Sequence, residues 1–134
     1  MPRTTTFLMF VGDQAGRAEE AMTFYTSLFK NSGITSIARY GPGGPDREGT
    51  VQHARFTLDG QEYMAMDSAH EHSFTFTPSM SIFVTCEAED EIDNLFEKLS
   101  AGGAVLMDLQ NHGFSRKFGW VNDRFGVSWQ LNLP

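Results

Sequence analysis

Apolar and polar residues alternate along the C-terminal segment of the chain. The apolar positions are Val127, Trp129 and Leu131, and the polar positions between them are Ser128, Gln130 and Asn132. A period of two predicts a strand with one apolar and one polar face. The segment Asn122–Gly126 supplies turn residues before it, with Gly126 free to adopt a positive φ, so a hairpin is expected. The sequence leaves open whether the polar face lines a cavity or contacts water.

Two other stretches carry the period of a helix. The first stripe comprises Ala18, Ala21, Met22, Tyr25, Leu28 and Phe29, and the second comprises Ala88, Ile92, Leu95, Phe96 and Leu99. Spacings of three and four residues predict two amphipathic helices. Asp13 is predicted to cap the first helix. Asn31–Gly33 and Gly102-Gly103 are predicted to end the two helices.

The remaining apolar runs predict short strands separated by turns. Strands are expected over residues 6–11, 34–40, 51–58, 62–66, 80–85, 104–109, 114–121 and 127–133. The first run, Thr6–Val11, is apolar and is therefore expected to be buried on both faces. The Gly/Pro-rich segment 41–45 and the polar segment 68–77 are predicted to be loops.

The predicted elements occur in the order strand, helix, strand, strand, strand, and this order repeats. Ala21, Tyr25 and Leu28 each have an apolar counterpart 71 residues later, at Ile92, Phe96 and Leu99. Such duplication predicts one α+β domain over residues 1–134, with module 1 at about 4–67, a connection at about 68–78 and module 2 at about 79–134. Each helix covers one face of its sheet, so two curved mixed sheets around a shared cavity would bury the other faces.

Composition narrows the possible partners. The net charge of −7 and the lack of a Lys/Arg cluster argue against nucleic acid. The chain has 12 phenylalanines, which suit a sheet-lined core or an apolar pocket. Cys86 is the only cysteine and is expected to be buried rather than nucleophilic. Without a leader-like segment or a long apolar run, we expect a cytoplasmic protein that does not enter the membrane.

Several of these segments together resemble the vicinal oxygen chelate superfamily, which contains glyoxalase I, extradiol dioxygenases and the fosfomycin and bleomycin resistance proteins. Within it, the chain is similar to the PhnB-like branch, described as a 3-demethylubiquinone-9 3-methyltransferase-like domain. The segments that carry the resemblance are Phe7–Phe10, Ala21–Tyr25, Leu28-Phe29, Gly113-Phe114 and Asp123–Asn132. The resemblance implies two βαβββ modules of the glyoxalase/bleomycin resistance/dihydroxybiphenyl dioxygenase-like fold, and a homodimer.

The resemblance also identifies four inward-facing positions that hold a metal ion in other members. In this chain they are Thr6, Met64 (or Met66, in a different register), Ser81 and Gln130. These neutral groups are weak ligands for Zn²⁺, Ni²⁺ or Mn²⁺, so we expect no metal ion there and no other cofactor. Gly41–Gly44 leads from one strand into another, and we interpret it as a loop rather than a cradle for S-adenosylmethionine.

The expected cavity is apolar with a few polar groups, as small-molecule sites usually are. The predicted ligand-binding residues are Thr6, Leu8, Phe10, His53, Arg55, Met64, Met66, Ser81, Phe83, Trp120, Ser128 and Gln130. If the protein is catalytic, the candidate groups are His53, Gln130 and Ser81. A solvated strand histidine remains the alternative for His53, and a water-facing strand remains the alternative for Ser128 and Gln130.

Other polar residues carry two interpretations each. His70 and His72 have ligand-like chemistry but lie in an irregular connection, and His112 is expected to be a turn residue. Arg116 and Lys117 either reach an anionic substrate or remain exposed at the surface.

Three functions follow from these observations. The first is binding or sequestration of a small apolar or aromatic ligand. The second is an enzyme that uses neutral hydrogen-bonding groups or a histidine in place of a metal. The third is a metal-dependent lyase, dioxygenase or transferase with relocated ligands. The sequence favours the first and leaves open whether the protein is an enzyme.

Overall fold

A computed structural model describes residues 1–134, which form two compact units, Met1–Thr75 and Phe76–Pro134. The first unit contains β1 (Thr6–Phe10), a short 3-10 helix (Gly12–Gln14), α1 (Ala18–Leu28), β2 (Gly33–Arg39), β3 (Val51–Leu58) and β4 (Gln61–Asp67). Its sheet has the order β1-β4-β3-β2, with β1 parallel to β4 and the other pairs antiparallel.

The second unit repeats this topology. It contains β5 (Ile82–Thr85), α2 (Glu89–Ser100), β6 (Ala104–Gln110), β7 (Lys117–Asn122) and β8 (Ser128–Leu133). The order is β5-β8-β7-β6, again with a parallel pair, β5 and β8, at one side of an otherwise antiparallel sheet. The predicted α+β class and the two βαβββ repeats are confirmed. The largest boundary differences are that β5 begins at Ile82 rather than Met80 and β7 begins at Lys117 rather than Phe114.

A buried carboxylate, Asp67, joins α1 to the sheet of the first unit. Its Oδ1 accepts hydrogen bonds from the backbone N–H groups of Gly16 and Ala18 at 2.8 and 3.0 Å, and Oδ2 accepts one from Val51 N–H at 2.9 Å. The predicted cap was wrong, because Asp13 lies in the short 3-10 helix and α1 has no local side-chain cap. Asp67 thus holds the N-terminus of α1 against β4, on the face of that strand from which the Asp67 side chain projects.

The register of β1 follows from its pairing with β4. Phe10 pairs with Asp67 and Leu8 with Ala65, so these β1 residues lie on the face covered by α1. Phe7 lies on the opposite face and is 46% exposed, so the prediction that β1 is buried on both faces was wrong. The physical reason is that β1 is an edge strand with a helix on only one side.

In the second unit, α2 packs on one face of its sheet through Ile92, Leu95 and Leu99. A Cβ atom on Gly119 would lie 2.8 Å from ring atoms of Phe96, so this β7 position faces α2. The strand residues that share this face are fully buried: Val121, Trp129, Leu131 and Leu133. Neither helix combines the length and the apolarity needed to cross a lipid bilayer.

The predicted turn between β7 and β8 is built around Asp123, which is 3% exposed. Its Oδ1 accepts hydrogen bonds from Phe125 N–H at 2.9 Å and Val127 N–H at 3.0 Å. Its Oδ2 accepts the indole Nε1–H of Trp129 at 2.9 Å. Gly126 has a φ of +91°, as the turn prediction required. The turn therefore fixes the register of the last strand against β7.

Candidate ligand-binding site

The polar side chains of β8 lie on the face of the second sheet opposite α2. Across the sheet, Gln130 pairs with Phe83 on β5 and with Trp120 on β7. In the next row, Asn132 pairs with Phe118 of β7, and at the turn end Ser128 pairs with Asn122. We call this surface the amide face: Ser81, Trp120, Asn122, Ser128, Gln130 and Asn132. The predicted common face of Ser128, Gln130 and Asn132, with Trp129 and Leu131 packed toward the helix, is confirmed.

Hydrogen bonds hold the amide face in a defined arrangement. Gln130 Nε2 donates to Ser81 Oγ at 2.7 Å, and Trp120 Nε1 donates to Ser128 Oγ at 2.8 Å. The Gln130–Ser81 bond is the only hydrogen bond of the Gln130 side chain, so Oε1 remains available as an acceptor. A ligand would therefore meet a pre-positioned amide rather than a mobile one.

Two further amide oxygens on this face have no hydrogen-bond partner. Asn122 Oδ1 and Asn132 Oδ1 are both buried and unpaired, although each residue as a whole is half-buried. A buried polar atom without a partner costs about 1–3 kcal/mol. A donor that reached either oxygen would recover this free energy.

An aromatic cluster borders the amide face. It comprises Phe83, His112, Phe114 and Phe118. Phe118 lies edge-on to Phe114 with ring centroids 5.1 Å apart, and its centroid is 6.5 Å from that of Phe83. His112 stacks on Phe114 at 6.3 Å. Phe83 and Phe114 are 55% and 64% exposed, so apolar ring surface is available beside the amides.

The two basic residues of this region are held away from the amide face. Lys117 pairs with Leu133 on the α2 side and donates to Asp93 Oδ1 at 2.6 Å, a hydrogen bond that raises the pKa of the ammonium group. Arg116 Nε donates to the backbone oxygen of Pro134 at 2.7 Å. The suggestion that Arg116 and Lys117 reach an anionic substrate is therefore not supported by their contacts.

In the first unit, the face opposite α1 is rich in sulfur and aromatic side chains. Phe7 pairs with Met64 and Met9 pairs with Met66, so all four lie on this face. Thr6, Leu8 and Phe10 were predicted to share a face with Met64, and this was wrong. Thr6 pairs with Tyr63, which stacks on Phe56 on the α1 side at 5.3 Å. Phe7 and Met9 take the positions expected of Thr6, Leu8 and Phe10.

His53 and Arg55 also lie on the face opposite α1. Arg55 pairs with Met64, and its Nη1 lies 2.6 Å from Glu62 Oε1 in an ion pair. The His53 ring is 6.2 Å from the ring of Phe7. Because Glu62 already neutralises Arg55, the pair of His53 and Arg55 is a poor anion site.

The remaining histidines of the first unit serve loop structure. His72 Nε2 lies 2.9 Å from Ser68 Oγ, and His70 Nε2 lies 3.1 Å from the backbone oxygen of Pro45. Across the chain, no group of three or more His, Cys, Asp and Glu side chains is arranged to hold a metal ion. His70 and His72 therefore have their partners in the loops they join.

Cys86 follows β5 and is 1% exposed. Burial, and secondarily the charge of Glu91, raises the pKa of its thiol to about 11. The prediction that Cys86 is buried is confirmed, and the raised pKa favours the protonated thiol over the nucleophilic thiolate at neutral pH.

Sequence reasoning missed part of this region. The alternation placed Asn132 on the same face as Gln130, but Phe118 was missed although it has the same parity as Trp120 on its strand. His112 and Phe114 lie in the irregular segment before β7, where no periodicity reports on neighbours. Phe7 and Met9 were missed because an unbroken apolar run does not indicate which face is covered.

The fold defines the class of protein. The structure is similar to that of FosX, a genomically encoded fosfomycin resistance protein from Listeria monocytogenes, with a TM-score of 0.61 over 100% of this chain and 95% of that one, at 11% identity. The chain thus has the vicinal oxygen chelate fold. It belongs to the family described as 3-demethylubiquinone-9 3-methyltransferase, whose model matches residues 2–132.

More similar proteins agree with this membership. A solved structure from Bacillus cereus, described as a putative 3-demethylubiquinone-9 3-methyltransferase and PhnB protein, is 60% identical. It covers 99% of this chain and 100% of its own, with a TM-score of 0.94. YjdN of Escherichia coli K12 is 25% identical over 83 residues, which are 62% of this chain and 56% of YjdN. The match thus spans just over half of that relative.

The fold family implies a metal ion, and the residues present do not fit one. In the first unit, the β1 and β4 positions that face away from α1 carry Phe7, Met9, Met64 and Met66. In the second, the corresponding β5 and β8 positions carry Phe83 and Gln130. Apart from the Gln130 amide, these side chains offer only hydrocarbon and thioether groups, which bind Zn²⁺ or Mn²⁺ poorly. The one carboxylate beside them, Glu62, is paired with Arg55.

The family description implies S-adenosylmethionine, and the glycine-rich segment does not fit it. Gly41–Gly44 lies in the loop between β2 and β3, two antiparallel neighbours. The usual cradle leads from a strand into the N-terminus of a helix. The interpretation of Gly41–Gly44 as a loop is confirmed.

Proposed function

We propose that this protein binds a small aromatic or apolar molecule on the amide face of its second unit and acts by binding or sequestration, without a metal ion. The observation that carries the proposal is the exposed aromatic cluster beside the free Gln130 Oε1. Aromatic walls supply most of the binding free energy of small ligands, and a few fixed polar atoms orient them. Of the residues predicted from sequence, Ser81, Phe83, Trp120, Ser128 and Gln130 belong to this proposed site.

The first-unit face carrying Met64, Met66, His53 and Arg55 is proposed as a secondary apolar surface. Its methionines adapt to ligands of irregular shape.

A relative in fold is named as a fosfomycin resistance protein, and this supports including antibiotics among the compounds tested. Thermal-shift measurements with planar aromatic compounds and antibiotics test the binding function directly. Stabilisation by none of them would contradict it.

Replacing Phe83 with alanine should weaken binding of any aromatic compound found in that screen at least about fivefold, because one ring–ring contact is worth roughly 1 kcal/mol beyond its buried area. Phe74→Ala is the matched control, since Phe74 is also 55% exposed but lies in the first unit. The dissociation constants of both variants, measured by calorimetry, check this result. Equal losses in the two variants would remove Phe83 from the site.

The proposal includes a homodimer in the cytoplasm. Val105 and Leu106 on the edge strand β6 are 46% and 40% exposed, and such an apolar edge supports pairing with a second copy. Light scattering after size-exclusion chromatography should give twice the chain mass of 15.0 kDa. Val105→Lys should shift the mass toward the monomer, whereas Lys30→Ala should not. A monomeric wild-type protein would contradict the dimer.

The buried free thiol of Cys86 supports a reducing compartment such as the cytoplasm. Cell fractionation tests this proposed location.

A further inference from the structure

The centre of the amide face is a row of paired residues in which one amide lies between two aromatic side chains. Gln130 on β8 pairs with Phe83 on β5 and with Trp120 on β7. Neighbouring strands of a sheet are about 4.8 Å apart, so the two aromatic positions flank the amide closely on both sides. A flat molecule bound over this row would contact aromatic carbon while its polar edge met the Gln130 amide.

The Gln130 side chain offers such a molecule both a donor and an acceptor. Its Nε2 carries two N–H groups, and only one is used, in the bond to Ser81 Oγ. Oε1 makes no hydrogen bond, and Ser81 accepts in its bond to Gln130, so the Ser81 O–H group is free to donate. The unpaired Oδ1 atoms of Asn122 and Asn132 are buried and out of a ligand's reach, so these residues can add only donors. The groups that a ligand can reach are therefore of both kinds.

None of these groups is charged, and neither are the positions paired around them. Lys117 lies on the α2 side and donates to Asp93, and Arg116 donates through Nε to the backbone oxygen of Pro134, beyond the end of β8. A charged ligand group would lose water here without meeting an opposite charge, which is unfavourable, whereas an uncharged polar group loses much less. The positions paired with the amide-face residues of β7 and β8 are Thr85, Ala104, Met107, Gln110 and Phe118, together with Phe83.

We infer that the ligand is a planar aromatic molecule that carries an uncharged carboxamide-type group, in which a carbonyl oxygen lies beside an N–H donor. This inference rests on the proposed function and names its ligand class. The carbonyl oxygen accepts from the free N–H of Gln130 or the O–H of Ser81, and the ligand N–H donates to Gln130 Oε1. A carboxylate offers acceptors only and leaves Oε1 without a donor. An amidinium offers donors only and leaves the N–H and O–H groups without an acceptor.

Four probes of nearly the same shape separate the possibilities: benzamide, acetophenone, benzoate and benzamidine. They present a neutral acceptor with a donor, a neutral acceptor alone, an anionic acceptor and a cationic donor. In ¹⁵N NMR titrations of the full chain, the side-chain amide signals of Gln130 and the indole signal of Trp120 report binding. We expect benzamide to bind at least about fivefold more tightly than each of the other three, because each of those leaves a polar group of the site unpaired.

Two variants of Gln130 test the source of the preference. Gln130→Met keeps the length of the side chain without its hydrogen-bonding groups, so benzamide and acetophenone should bind equally. Gln130→Glu replaces the donor with a charged acceptor, so benzamidine should become the tightest of the four. Gln52→Met and Gln52→Glu, at an exposed position on β3, are the matched controls and should keep the wild-type order. Each Gln130 variant decides by itself, so loss of folding in one leaves the other as the test.

The outcomes distinguish this inference from the proposed function. If benzoate or benzamidine binds the wild-type protein most tightly, the site selects a charge and the inference is wrong. If acetophenone binds as tightly as benzamide, the ligand N–H is not recognised and the carboxamide class is overturned. If none of the four binds while other aromatic compounds from the screen do, the inference falls and the proposed function stands; if the screen also fails, both fall. Gln130 variants that retain the wild-type order would likewise overturn the inference.

Discussion

Replacing Asp123 with alanine is expected to destabilise the second unit by about 4 kcal/mol, because three buried donors lose a charged acceptor at once. The donors are the N–H groups of Phe125 and Val127 and the indole N–H of Trp129, all within 3.0 Å of the carboxylate. The group is only 3% exposed, so the three donors lie out of contact with bulk solvent. Urea unfolding followed by circular dichroism and tryptophan fluorescence measures the change.

Asp123→Asn should recover little of this loss. Both carboxylate oxygens act as acceptors, so an amide would direct its NH₂ group at another donor whichever way it turned. Asp108→Asn is the control, because Asp108 is exposed on β6 and its side chain makes no hydrogen bond; its effect should stay within about 0.5 kcal/mol. A loss below about 1 kcal/mol for both Asp123 variants would show that the turn does not depend on the carboxylate.

The Asp123 turn also explains why the last hairpin was predictable from sequence. The strand it begins, β8, lies between β5 and β7 and has a helix on one side, so the two faces differ strongly. Apolar residues at positions 129 and 131 pack toward α2, while Gln130 faces away from it. Strict alternation is the pattern that one covered face imposes on a strand. The period of two along β8 is therefore sufficient to identify the polar side of this strand, which forms the centre of the amide face.

The first strand was misassigned for a related reason. An apolar run such as Thr6–Val11 carries no alternation, so its parity is set only by pairing with β4, more than 50 residues later. The helix cap failed in the same way, since Asp67 bonds to Ala18 from 49 residues along the chain. Local sequence patterns predict interactions only between residues that are close together in the chain. The partner of β1 (β4) and the partner of Ala18 (Asp67) are both distant in sequence, so neither could be predicted in this way.

The aromatic part of the site lies further from sequence reasoning. His112 and Phe114 belong to an irregular segment, and their rings meet Phe118 only because that segment folds back beside β7. Composition gave the abundance of phenylalanine but not the grouping. Only part of the site can therefore be predicted from sequence. The strand residues follow from the period of two and the internal duplication, whereas the loop residues His112 and Phe114 are placed only by the tertiary structure.

Gly103→Ala is expected to destabilise the second unit by about 3 kcal/mol or more and to loosen the aromatic side of the site. A Cβ atom on Gly103 would overlap the backbone oxygen of Asn122 and lie 2.8 Å from the carbonyl carbon of Asp123. Backbone atoms in a paired strand cannot move aside as a flexible side chain would, so β6 must separate from β7. Chemical denaturation, with NMR signals of the Asn122 amide, measures the loss of stability and pairing.

The duplication supplies the control for this prediction. Gly33 begins β2 just after α1, as Gly103 precedes β6 just after α2, but a Cβ atom on Gly33 meets nothing within 4 Å. Gly33→Ala should therefore be neutral or stabilising by up to about 1 kcal/mol, because alanine restricts the unfolded chain. Equal effects at the two glycines would show that chain entropy, not the close approach of β6 to Asn122, decides both. Since β6 leads directly into the segment that carries His112 and Phe114, a displaced β6 should also weaken binding of the aromatic compounds found in the screen in Gly103→Ala, while Gly33→Ala binds them as the wild type does.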